Sequence, residues 1–127
     1  GKTSEREYEH MTIKELYESI GADYEDALHR LMNDRLVTKF SLKFLDDQSF
    51  ASLCAAMEAE DWETAFRAAH TLKGVAQNLA FTELGKSSAA LTEALRGYKK
   101  PEDPALLEQV KSDYDRTAAG IRAFQAG

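Results

Sequence analysis

The only two prolines, Pro101 and Pro104, sit in one short stretch, so everything from Asp23 to Tyr98 is free of the strongest helix breaker. Apolar residues recur there at every third or fourth position, and no segment alternates apolar and polar residues for long. The pattern predicts an all-α chain. Thr12 followed by Glu15 reads as a capping box that opens a short helix through Ile13, Leu16, Tyr17 and Ile20, stopped by Gly21. Asp23 then caps a long helix carrying Ala27, Leu28, Leu31, Met32, Leu36, Phe40, Phe44 and Leu45, ended by Asp46-Asp47. A shorter helix holds Phe50, Leu53, Cys54 and Met57. Asp61 caps a fourth over roughly 62–80, Thr82 opens a fifth that runs to Gly97-Tyr98, and Pro104 suits the start of a sixth. The four longest predict an antiparallel four-helix bundle with short connections, with additional short helices on its N-terminal side.

Composition narrows the function classes. A length of 127 residues fits one domain, and 43% hydrophobic with 30% charged residues reads as globular. Residues 1–10 lack periodicity and are expected to be a flexible tail or a remnant of cloning, leaving 11–127 as a single domain. A net charge of -6 disfavours nucleic acid and anionic lipid as partners. No apolar run approaches the ~20 residues that span a bilayer, and the polar first ten residues do not read as a secretion signal. Cys54 is alone, so it forms no intrachain disulfide and is expected to be a small buried residue. A cytoplasmic location fits these features.

On a helical wheel, Ala65, Ala68, Ala69, Leu72, Val75, Ala76 and Leu79 gather on one side of the fourth helix. Arg67, His70, Lys73, Gly74 and Gln77 gather on the other, which places His70 on the solvent face. Gly74 costs about 1 kcal/mol relative to alanine in a helix interior. One turn beyond His70, it leaves the imidazole uncovered. Lys73 is at a spacing where side chains meet, so its cation can stabilise a phosphoryl group on the ring. Arg67 lies one turn before His70, and Gln77 is placed to donate a hydrogen bond from beyond. Trp62 and Phe66 sit at the edge of this ridge as candidate docking residues.

His70-Thr71-Leu72-Lys73-Gly74 resembles the His-x-x-Lys-Gly signature of histidine-containing phosphotransfer (HPt) domains. Ala69 before it and Gln77 after it also fit that family's pattern. The resemblance is strongest over 62–85 and extends weakly over roughly 12–125. It implies a phosphorylated His70, a phosphoryl-supporting Lys73 and a Gly74 that gives access. It implies a response-regulator receiver domain as partner, with a hybrid histidine kinase as a further candidate. The receiver brings an aspartate and an acidic Mg²⁺ pocket, and the module itself needs no cofactor or metal. Two positions depart from the pattern: Val75 follows the glycine where small residues are common, and Ala80 stands where a glycine is frequent.

No phosphate-binding or dinucleotide-binding glycine motif occurs, so a phosphoryl carrier without autonomous kinase activity is expected. One alternative is a helical adaptor of the same fold that docks partners without carrying phosphate. A metal-binding bundle is disfavoured, because Glu7-x-x-His10 is a single copy of a spacing that such sites use twice. His29 has no paired ligand and reads as a solvated or partly packed histidine.

Overall fold

The computed structural model describes residues 11–127, which contain seven α-helices and no strand. They are α1 (Ile13–Ser19), α2 (Tyr24–Leu31), α3 (Asp34–Lys43), α4 (Ser49–Glu58), α5 (Trp62–Asn78), α6 (Thr82–Leu95) and α7 (Ala105–Ala126). The expected helix starts are built as the caps require. Thr12 accepts from the Glu15 amide at 3.0 Å, and the Glu15 carboxylate accepts from the Thr12 amide at 2.9 Å. Asp61 accepts from both the amide and the hydroxyl of Thr64 at the head of α5.

Three helix ends close in the same way. After α1, α4 and α5, a residue with positive φ turns the chain, and the next amide bonds back to a carbonyl five residues earlier. Gly21 fills that position after α1, but Glu60 and Ala80 fill it after α4 and α5. The departure at Ala80 therefore falls on a φ of 56, which glycine adopts without strain.

The long helix expected after Asp23 is two helices. Met32 takes a φ of 85, and Asn33 caps α3 by accepting from the Leu36 amide at 2.9 Å. Ala27 and Val37, one on each side of the break, are both fully buried. On one straight helix they would lie about 80° apart around the axis. Splitting the helix turns both inward and leaves Met32 at the corner, 79% exposed. A one-turn 3-10 helix over Phe44–Asp46 completes the run.

The bundle consists of α4, α5, α6 and α7, so its first member is the ten-residue α4, not the long helix expected over 24–45. Connections as short as 59–61 and 79–81 reverse the chain between neighbours. Its core includes Leu53, Leu72, Phe81, Leu84, Leu91, Leu95, Val110 and Ile121. Each such side chain contributes about 1.5–3 kcal/mol through burial. Cys54 is only half-buried, and burial pushes its thiol pKa up.

Helix α1 is fastened to the end of the bundle where α5 and α7 finish. The buried Tyr17 hydroxyl donates to the Leu79 carbonyl at 2.8 Å and lies 3.2 Å from the Ser41 hydroxyl. Ile20 packs on Gly120 of α7 so closely that a Cβ there would fall 2.3 Å from its Cγ2. Arg116 donates to the Ile20 carbonyl at 3.3 Å while pairing with Asp113.

Candidate functional site

Helix α5 is narrow on its inner side. Ala65, Ala68, Ala69 and Ala76 are buried there beside Leu72, and these small residues let α4 and α6 pack closely on either side. The opposite side is the expected ridge: Arg67, His70, Gly74 and Gln77 are exposed and Lys73 is half-buried. Val75, assigned to the core by the wheel, is half-buried and lines a shallow groove with Phe40 and Leu79.

Among the described residues, no atom beyond the adjoining backbone of α5 comes within 4 Å of the point where a Gly74 Cβ would stand. The glycine is thus not a packing device, and a step is left in the ridge one turn beyond the imidazole. Lys73 has no carboxylate within ion-pair distance among the described residues. Arg67 pairs with Glu63 at 3.6 Å. Such an exposed pair is worth little and is easily broken.

Phe66 lies where the wheel puts it and does more than border the ridge. Its ring is parallel to that of His70, with centroids 6.1 Å apart and planes 10° from coplanar. Two residues that the sequence did not single out hold Phe66 from the α6 side. The Arg96 guanidinium lies 5.4 Å over the phenyl ring, and Tyr98 meets its edge at 5.7 Å. Arg96 in turn pairs with Glu93 at 2.6 Å. That hydrogen bond, then the charge of Arg96, lowers the Glu93 pKa, and the charge of Lys73 adds to the effect. The available sequence signal was Gly97-Tyr98 after α6: both take positive φ and fold the chain end back toward Phe66.

Two expected site residues are not brought to the imidazole. Gln77 lies two turns beyond His70, about 10 Å along the axis. Its stem leans toward α6, where Cγ lies 3.4 Å from the position of a Gly85 Cβ. Trp62 lies two turns before His70 and lines a separate groove with Leu91, Pro101 and Leu107. It is part of that groove, not of an apolar margin around His70. His29 is exposed on α2, and Glu7 and His10 lie outside the described residues.

No curated protein and no solved structure was found to match the chain. Among the described residues, no helix is long and apolar enough to cross a membrane. The family model described as Hpt domain matches residues 45–120, more than half of the chain, from the turn before α4 to Gly120 in α7. That span contains the whole of α5 and its exposed His70 ridge, and the chain belongs to the Hpt domain family, the histidine phosphotransfer modules of two-component signalling.

Proposed function

We propose that His70 accepts a phosphoryl group and exchanges it with the aspartate of a response-regulator receiver domain in a phosphorelay. The observation that carries this reading is an exposed imidazole with open space over Gly74 and, within one turn, a Lys73 that has no carboxylate partner among the described residues. In the accepting direction, the lone pair of the unprotonated ring nitrogen attacks phosphorus. A nitrogen–phosphorus bond forms as the aspartyl oxygen–phosphorus bond breaks, and the electron pair returns to the carboxylate. The ring then carries its remaining N–H proton until water takes it. Transfer of this kind depends on in-line approach and on neutralising the equatorial oxygens.

Each residue has a distinct part. Gly74 leaves the approach open, Lys73 neutralises charge on the phosphoryl oxygens, and Phe66 holds the plane of the imidazole. Arg67 adds a second cation once it leaves Glu63. The acidic pocket and its Mg²⁺ belong to the receiver, and this chain passes on phosphate without taking it from ATP by itself. We read 11–127 as one domain, because the Tyr17 and Ile20 contacts join α1 to the ends of α5 and α7, and we place its work in the cytoplasm, where receiver domains act. A hybrid histidine kinase is a fitting source of the phosphate.

The test is to load the protein from phosphoramidate or a phosphorylated receiver and map the adduct. An acid-labile adduct at His70, absent in His70→Gln, is the expected result. Unchanged labelling in that variant, or label on His10 or His29, overturns the assignment. A chain that binds receivers yet takes no label would be the helical adaptor instead.

A further inference from the structure

A chain of contacts leads from His70 through Phe66 and Arg96 to a carboxylate. Phe66 stacks on His70, Arg96 lies over Phe66, and Glu93 grips Arg96 through hydrogen bonds from both Nε and Nη2. The register of α5 on α6 is fixed at two points. Phe66 meets Arg96 near one end, and Gln77 meets Gly85 near the other. The helices run in opposite directions, so stepping three residues in from the Phe66–Arg96 contact puts Glu93 level with Ala69, beside His70. The Glu93 carboxylate is held by Arg96, and the charge of Lys73, three residues beyond His70, reaches it.

We propose that Glu93 is a built-in counter-anion that limits how readily His70 takes up and keeps a phosphoryl group. This inference rests on the reading of His70 as the phosphoryl carrier. A phosphoryl group brings about two negative charges to the ring. Glu93 opposes that charge through its own field, and it occupies Arg96 and tempers Lys73. Both effects act in the same direction. They make phospho-His70 a better donor and a poorer store, which suits a carrier that must release what it receives.

Glu93→Gln removes the charge and keeps the shape of the side chain. The full chain is loaded from phosphoramidate, whose phosphorus–nitrogen bond breaks as ammonia leaves. Loading rate and steady phospho-His70 occupancy are followed by phosphorus NMR at low and high salt. Glu93→Gln is expected to raise both by about threefold or more at low salt, with the difference from wild type shrinking as salt screens it. Glu93→Asp should restore wild-type behaviour. Glu83→Gln makes the same change in net charge on the first turn of α6 and should leave both quantities unchanged. If wild type is labelled at His70 but Glu93→Gln loads no faster and holds no more, the inference fails and the carrier reading stands. If Glu83→Gln matches Glu93→Gln, net charge is the cause and the inference fails. If wild type takes no label at all, both fail together.

Discussion

Gly74 and Gly120 each sit inside a long helix, where glycine is a poor choice, and the two are there for opposite reasons. At Gly120 a methyl group would collide with Ile20 at 2.3 Å, so the glycine makes room for α1. At Gly74 a methyl group would meet nothing within 4 Å beyond its own helix backbone, so no packing among the described residues explains its absence. A helix glycine that nothing fills points to something that arrives later. The closed junction around Gly120 and the open ridge around Gly74 differ in what they are built for. One joins α1 to the bundle, and the other leaves open space beside an exposed histidine.

The largest effect should come from filling the open side. Gly74→Gln places a long side chain over the imidazole while removing no internal contact. Transfer to and from a receiver is expected to fall by about a hundredfold or more, since blocked in-line approach is that costly. The thermal melt should stay at or above that of wild type. A variant that unfolds would make Gly74 a structural residue like Gly120, and a variant that transfers normally would move the docking surface elsewhere.

The closed side has a pH signature. Burial pushes the Tyr17 phenol up to about 12, against a small opposing pull from its hydrogen bond with Ser41. Below about pH 10 both folded and unfolded chains hold that proton, so the contribution is fully present there. Between about 10 and 12 the unfolded chain releases the proton first, and stability falls as pH rises. A two-unit separation corresponds to about 2.7 kcal/mol. Denaturant melts at stepped alkaline pH check this against Tyr17→Phe. That variant should be weaker at neutral pH by about 1 kcal/mol for the lost bond to Leu79, yet show the shallower alkaline decline. Equal slopes would mean that the phenol is not what holds the junction.

Overpacking the same junction should cost somewhat less. Gly120→Ala forces Ile20 or α1 to move and is expected to destabilise the protein by about 2 kcal/mol. Combining it with Ile20→Ala should cost less than the sum of the two single changes by at least ~0.5 kcal/mol, because the contact is shared. Strict additivity would separate Gly120 from Ile20. Phosphoryl transfer at His70 should be unchanged in variants that remain folded, which keeps the two regions distinct.

What the sequence disclosed follows this division. The ridge was legible because it is local: His70, Lys73 and Gly74 belong to one helix, and a wheel places them without knowledge of any neighbour. Caps at Thr12, Asp23 and Asp61 were legible for the same reason. The break at Met32-Asn33 was not, although Asn33-Asp34 is a sound helix start. The apolar spacing runs across it, and Ala27 and Val37 would fit one face of a continuous helix, so the pattern carries no sign of the turn. The roles of Glu93, Arg96 and Tyr98 were hidden because they depend on how α6 lies along α5. The surroundings of Trp62 were hidden for the same reason: the wheel gives its angle but not the groove that Pro101 and Leu107 build beside it.

The smallest expected change is the one that separates the glycines most cleanly. Gly74→Ala adds only a methyl group, into space that no atom of the chain occupies. Alanine is the better helix former and restricts the unfolded chain more, so the variant should gain about 0.5–1 kcal/mol of stability. The same substitution at Gly120 should move stability the other way. A methyl group is too short to cover the imidazole, so transfer should fall far less than in Gly74→Gln, and any loss should grow with side-chain length from alanine to glutamine. Paired denaturant melts of Gly74→Ala and Gly120→Ala are the direct measurement. If both destabilise, the open step beside His70 is occupied by something in the folded protein, and the contrast between the two glycines disappears. If Gly74→Ala stabilises while transfer already collapses, the receiver approaches closer to the helix backbone at position 74 than a methyl group permits.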